Sequence, residues 1–437
     1  MKKVLIVSPH FTPISAADMQ RARLALPWFR QYGWEPVVLA VEPELVEAAA
    51  IDPILEETYP HDIRIVRVRG IPHRLTRPFR LGSLWLRCGY ALRRAGDKLL
   101  HSEKFDLILL TNTEFPSFLL GPRWLKKFKV PYILDYIDPW INDYYKNTNT
   151  PPPGGKLKYA LSQMKAKRHE PLVIREAAAV IAVSSSYGPE LCARYPALDS
   201  SKTYHIPFGT EPADIELALK NPPVSSLIPS EKGRINFVYT GRAATDMARS
   251  LRLLFRAFYK YKGSHPQEAT RMHFYFIGTD YAPRPLGKLW VMPVAEQEGI
   301  ADHVTEHCYR IPYFEALYYL CTADALMLVA SDDPRYSASK IFPYLHTKRP
   351  LITIAHKDSL MLKLARDEGH LSCFGFSETL TPEDEIKIVD EIYHDWFLNR
   401  GYAKLGSSAK NQLLRAHTAE IMTQNMINIF NNVIVDC

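Results

Sequence analysis

The chain has 437 residues, too many for one hydrophobic core of ordinary size, so two domains are expected. With 47% hydrophobic and 23% charged residues it has the composition of a folded globular protein, which excludes a low-complexity or disordered chain. The net charge of +7 is small for this length and carries meaning only where it is concentrated.

The opening MKKVLIVSPHF holds an apolar run too short for a secretory signal, with no small-residue cleavage site after it. Lys2 to Ser8 therefore reads as a strand buried on both faces of a parallel sheet, and a cytoplasmic protein is expected. The six cysteines are scattered without a CxxC pair, which points to a reducing compartment and no structural metal. No apolar stretch is long enough to span a bilayer, although peripheral attachment to an inner membrane face stays open. A loop with Pro9, Pro13 and Ser15 follows, then a helix expected from about Ala17 to Tyr32 with Gly33 closing it. Glu35 to Val41 is the second strand of this βαβ opening, and a ligand is expected at the carboxyl end of the first. The loop lacks GxGxxG, and His10 reads as an ordinary loop histidine.

Residues 61–69, HDIRIVRVR, alternate as a strand with one wet face. From Arg64 to Lys98 come Arg67, Arg69, Arg74, Arg77, Arg80, Arg87, Arg93 and Arg94, opposed by Asp97 alone and interleaved with Leu75, Phe79, Leu84, Trp85, Leu86 and Tyr90. Three readings are open: a face for an anionic membrane or lipid-linked substrate, a helix with its arginines in water, or a nucleic-acid contact.

Phe105 to Leu110 and Val130 to Asp135 are further strands. The second runs into Asp135-Tyr136-Ile137-Asp138-Pro139-Trp140. A carboxylate at a strand's carboxyl end suits a general base held on a rigid element, and equally the cap of a following helix that begins at proline. Residues 148–156 are a hinge or loop, followed by the basic helical run KLKYALSQMKAKRHEPLVIREA. The proline-rich residues 214–233 read as a linker.

A second strand and helix series starts at Ile235 and turns at Gly241-Arg242. It continues through a helix from about Ala248 to Lys262 and strands near 273–278, 303–308 and 325–329. The stretch SDDPRYSASKIFPYLHTKRPLITIA runs from a strand end through a polar loop into a helix beginning near Ser339. Ser337, Ser339 and Lys340 at such a start offer hydroxyls, backbone N–H groups and a cation to a phosphate, or serve as a plain helix cap with solvated charges. Thr418 to Val433 is a last amphipathic helix.

Taken together, SPHFTPISAADMQRARLALPWFRQYGWEPVVLAV, AAAVIAVSSSYGPEL with HIPFGTEP, VYTGR, FYFIGT, YRIPYFEALYYLCTADALMLV and SASKIFPYLHTKRPLI resemble, in order, the GT-B glycosyltransferases of the family-4 retaining group. That resemblance implies an α/β chain of two doubly wound Rossmann-like domains facing across a cleft. Residues 1–213 would bind the acceptor and 234–415 a nucleotide sugar, with 214–233 as the linker and 416–437 as a helix returning to the first domain. It implies an enzyme that moves a sugar from a nucleotide diphosphate donor to a saccharide or lipid-linked saccharide, in cell-surface polysaccharide synthesis, with no metal or other cofactor and no nucleic-acid partner.

Residue by residue, the resemblance puts Asp138 at the reacting sugar. Arg242, Arg249, Ser339 and Lys340 fall at the donor diphosphate, and Arg310 with Ile311 beside the base. The loop carrying Ser15, Ala16 and Asp18, together with Trp140, falls at the acceptor. Arg335 and Pro343 stand where many members carry glutamates for the donor sugar and the ribose, and Ser15-Ala16-Ala17 replaces their glycine pair. A silent nucleotide-binding protein and a nucleotide-sugar epimerase are the rival readings. A nicotinamide oxidoreductase is disfavoured, because neither half has the glycine fingerprint.

Overall fold

The structure is a computed structural model and describes residues 1–46, 50–76, 82–141, 155–282, 284–334, 341–367, 369, 372–404 and 416–435. Two compact units divide the chain, one of Met1–Gly209 with Ala419–Cys437 and one of Thr210–Thr418.

The first unit is built on a seven-stranded sheet in the order β3-β2-β1-β4-β5-β6-β7. Its strands are β1 (Lys2–Val7), β2 (Trp34–Val41), β3 (Arg64–Val68), β4 (Leu107–Thr111), β5 (Tyr132–Tyr136), β6 (Ala179–Ala182) and β7 (Thr203–His205), all paired in parallel. Val4 to Val7 and Leu107 to Leu110 are sealed from solvent, as continuous apolar runs at the centre of a parallel sheet must be. Because β1 pairs with β2 on one side and β4 on the other, the order of the strands reverses between β1 and β4.

The helices that accompany these strands include α1 (Gln20–Ala25), α2 (Leu84–Ser102), α3 (Leu120–Phe128), α4 (Lys156–Ile174) and α5 (Tyr187–Arg194). The helix expected to reach Tyr32 stops at Ala25. Pro27 explains the early stop, since it has no N–H to donate and its ring collides with the preceding turn. Gly33 still closes the segment at φ 79°, after a short 3-10 turn over Arg30–Tyr32. One face of the sheet buries α2, α3 and α4 around Trp124. Gly96 on α2 makes room for that indole: a Cβ there would lie 2.2 Å from Trp124 Cζ2. The C-terminal helix Ala419–Val435 belongs to the same unit, where Phe430 packs on Phe29 and Trp34 at 6.2 and 5.4 Å between ring centres.

Three of the cations between residues 64 and 98 are engaged by the fold. Arg87 is buried and donates to the carbonyls of Leu45 at 2.9 Å and Ile71 at 3.4 Å. Arg64 pairs with Glu103, and Arg67 with Glu56. Arg77 and Arg80 lie outside the described residues.

The second unit carries a six-stranded parallel sheet ordered β10-β9-β8-β11-β12-β13. These are β8 (Ile235–Thr240), β9 (Met272–Ile277), β10 (Val304–His307), β11 (Ala325–Val329), β12 (Leu351–His356) and β13 (Cys373–Phe376). Here the reversal falls between β8 and β11. An aromatic core fills one face of the sheet, with Phe237 and Phe274 stacked 4.9 Å apart. Its helices include α6 (Pro212–Lys220), α7 (Ala248–Ser264), α8 (Tyr313–Thr322), α9 (Ile341–His346), α10 (Leu360–Asp367) and α11 (Pro382–Ile392). The segment read as linker thus begins with a helix: Pro212 occupies its first turn, Glu211 accepts from Ala213 N, and Asp214 accepts from Tyr313 on α8 at 3.1 Å.

Candidate active site

In a doubly wound sheet the two strands at the reversal send their connections to opposite faces, which leaves a crevice at their carboxyl ends. In the first unit that place is bordered by the residues leaving β1, β4 and β5. A chain of hydrogen bonds ties the three exits together. His10, just past β1, meets the Asp18 carboxylate through Nδ1 at 2.7 Å. The backbone N–H of Thr113, just past β4, donates to the same Asp18 oxygen at 3.0 Å. Next to it Asn112 accepts from Ile137 N at 3.0 Å and donates to the Asp138 carbonyl at 3.3 Å, which locks the exit of β5 to that of β4.

The charges in this cluster are coupled. Burial pulls the His10 imidazole down, but the Asp18 charge and hydrogen bond and the Glu114 charge outweigh it, so its pKa lies above the usual value. Burial pushes the Glu114 carboxyl up. Asp18 is sealed from solvent, and its second oxygen, Oδ1, has no hydrogen-bond partner among the described residues. A buried carboxylate oxygen left in that state is costly unless a water or a bound group reaches it. His10 and Glu114 were not marked by the local pattern; the available signal was a histidine at a strand exit with an aspartate eight residues on.

The two aspartates at the end of β5 point to different fates. Asp135 is fully buried and receives Arg21 Nε at 2.9 Å on both oxygens, while Arg21 Nη2 donates to the Ile206 carbonyl at 2.7 Å. Asp138 is exposed. Ser15 and Ala16 are half-buried in the loop after β1, held by Ser15 N to Ala50 O at 2.8 Å and Ala16 N to Ile14 O at 3.1 Å. Trp140 lies in the core of the unit, 7% exposed and stacked on Phe115 with 5.5 Å between ring centres.

In the second unit the chain leaves β8 through Gly241, at φ 128°, into Arg242. Arg242 forks onto Asp246 with bonds of 3.1 and 2.7 Å, and Asp246 O receives the N–H of Asp332 beyond β11 at 2.9 Å. Ser250 Oγ donates to Ala330 O at 2.6 Å, and Tyr344 OH on α9 bonds both N and O of Thr240. The exits of the two reversal strands are thereby cross-tied as in the first unit. Arg310, past β10, donates to Gly278 O past β9 at 3.1 Å and lies over the Tyr281 ring. Ile311 beside it is half-buried. Arg249, on α7, donates to Ser377 O and Glu378 O at 2.8 and 3.0 Å, past β13. Arg335, Ser339 and Lys340 lie outside the described residues, while Pro343 is half-buried on α9. Among the described residues no group of three or more His, Cys, Asp or Glu side chains is placed to hold a metal ion.

Residues 25–214 match a family model described as Glycosyltransferase Family 4. No curated protein sequence matches the chain. Among solved structures, sucrose-phosphate synthase from Thermosynechococcus elongatus is similar at 14% identity and TM-score 0.63 over 100% of both chains. An α,α-trehalose-phosphate synthase (UDP-forming) from Burkholderia vietnamiensis is similar at 13% identity and TM-score 0.59, over 100% of this chain and 98% of that one. A structure described as trehalose-6-phosphate from E. coli bound with UDP-2-fluoro glucose is similar at 13% identity and TM-score 0.59, over 98% of this chain and 99% of that one. At such identities the likeness to these structures is one of fold, and that fold is GT-B.

Proposed function

For this chain of GT-B fold, we propose the activity of a glycosyltransferase: transfer of a sugar, with retention of configuration, from a nucleotide diphosphate donor to a hydroxyl of a saccharide or lipid-linked saccharide. The setting we propose is cell-surface polysaccharide synthesis. The observation that carries the reading is the cross-tied cluster at the first reversal. There one exposed carboxylate, Asp138, and one imidazole, His10, stand on strand exits fixed by Asn112, Thr113 and Asp18.

In this reading Asp138 orients the acceptor hydroxyl and faces the positive charge that develops at the anomeric carbon. Asp18 binds Nδ1 of His10, so Nε2 is the nitrogen turned to the acceptor. The second unit takes the donor. Asp246 fixes the plane of Arg242, and a guanidinium aimed before the reaction stabilises a diphosphate as it gains charge in leaving. Arg249, Arg310, Arg335, Ser339 and Lys340 complete the donor side, with Ile311 beside the base. The engagement of Arg249 and Arg310 with backbone carbonyls makes them supports of the donor loops as much as direct ligands.

A thermal-shift panel of nucleotide sugars and nucleoside diphosphates tests this, because a ligand that binds only the folded state raises the melting temperature. The expected result is a shift with one nucleotide sugar and its diphosphate, lost in Arg242→Ala. No shift with any member of the panel would overturn the donor assignment. Sugar phosphates belong in the acceptor trials, since two of the structural neighbours are named as sugar-phosphate synthases.

A further inference from the structure

The reaction proposed above leaves one element unused. Helix α4 packs Ala166, Val173 and Ile174 into the core of the first unit. Its opposite face carries four exposed large apolar side chains. Leu157, Leu161, Met164 and Leu172 are 76, 48, 62 and 44% exposed. Together with Arg168 they follow spacings of four and three residues, so they form one stripe along the helix. By the same periodicity Lys158 and Lys165 border the stripe on one side and Lys156 and Lys167 on the other, and all are exposed. From Lys156 to His169 there is no aspartate or glutamate; the first, Glu170, is buried against Arg194 and Tyr195.

We infer that this face of α4 docks on an anionic lipid surface, with the leucines and Met164 in the interfacial layer and the lysines among the headgroups. Charge decides among the candidate occupants. A second copy of the chain would set this face against itself and bring lysine to lysine, because a two-fold interface pairs the same patch on both sides. A nucleic acid would satisfy the lysines and leave the apolar stripe in water. A bilayer with acidic headgroups meets both requirements at once, and Arg168, inside the stripe, reaches the headgroups with its long stem lying on the apolar layer. No helix among the described residues is long and apolar enough to cross a membrane, so the contact is one of lying on the surface. The inference does not depend on the transfer reaction.

Co-sedimentation of the full chain with vesicles tests it. Vesicles of phosphatidylcholine with a minority of phosphatidylserine are compared with vesicles of phosphatidylcholine alone. Binding is expected to the mixed vesicles only, and to weaken with added salt. Two triple variants, Lys158→Gln/Lys165→Gln/Lys167→Gln and Leu157→Gln/Leu161→Gln/Met164→Gln, should each lower the partition coefficient by about tenfold or more. All six positions are exposed, and unchanged circular dichroism and melting confirm that the variants fold. Leu86→Gln/Tyr90→Gln on the outer face of α2 should change binding by less than about twofold. The inference is overturned by absence of binding to the mixed vesicles, by α4 variants that bind as well as the parent, or by a larger loss from the α2 variant. A dimer in solution that the α4 variants dissolve, or tighter binding to RNA than to vesicles, overturns it equally.

Discussion

Asp135 and Asp138 stand three residues apart at the exit of β5 and should answer mutation in opposite ways. Asp135→Asn leaves Arg21 charged and buried without its partner, a loss expected to destabilise the protein by about 3 kcal/mol, readable as a lowered midpoint in urea. Asp138→Asn should leave that midpoint within about 0.5 kcal/mol, because the residue is exposed, while lowering kcat by about 100-fold with little change in donor affinity. His10 adds a pH dependence. Its folded pKa is raised, so its attraction to Asp18 is fully present below the ordinary histidine value and is lost as pH rises through the folded one. Stability should therefore fall across that window, and the slope should flatten in His10→Gln. These distinctions were only partly legible in the sequence. Two aspartates after an apolar strand read alike until Arg21, 114 residues away, is seen to claim one of them. Trp140 gives the same lesson, since an aromatic residue after a strand looks the same whether it lines a site or stacks on Phe115 in the core.

At the scale of elements, the strands were the most legible part. A strand segment covered on both faces must be apolar, and Val4–Val7, Phe237–Tyr239 and Ala325–Val329 announce themselves in that way. Helix ends were less so: the apolar spacing after β1 continues past Pro27, but the backbone does not. Residues 214–233 looked unstructured because Pro222, Pro223 and Pro229 fall among polar residues there, although Pro212 opens a helix where its missing N–H is harmless. The packing of α2 on α3 makes a direct prediction. Gly96→Ala drives a methyl group into the Trp124 ring and should destabilise the first unit by about 1–3 kcal/mol, with a changed near-ultraviolet signal from the indole. Gly33→Ala meets no neighbour, so its cost is only that of a positive φ, about 1 kcal/mol by the same assay.

For the whole molecule, the two units repeat one plan: a parallel sheet, a reversal of strand order, and side chains that cross-tie the exits of the reversal strands. Both reversals could be expected from the alternation of strands and helices, but the ties could not, because Asn112 to Ile137 and Tyr344 to Thr240 join residues far apart in the chain. Both signs of charge stand at each reversal, Arg21 on Asp135 in the first unit and Arg242 on Asp246 in the second. If the second unit takes the diphosphate, Arg242→Ala should weaken nucleoside diphosphate binding by about tenfold or more in calorimetry and leave nucleoside binding nearly unchanged. Equal weakening of both would remove Arg242 from the phosphates.

The central claim is that a sugar leaves a nucleotide diphosphate for an acceptor hydroxyl. Phosphorus NMR with mass spectrometry of products, run on the donor that raises the melting temperature and a panel of saccharide, lipid-linked and sugar-phosphate acceptors, tests it most directly. The account predicts free nucleoside diphosphate in step with a glycosylated acceptor, with both signals lost in Asp138→Asn. A donor that binds and never releases its diphosphate with any acceptor, or a sugar altered while still joined to its nucleotide, would contradict it.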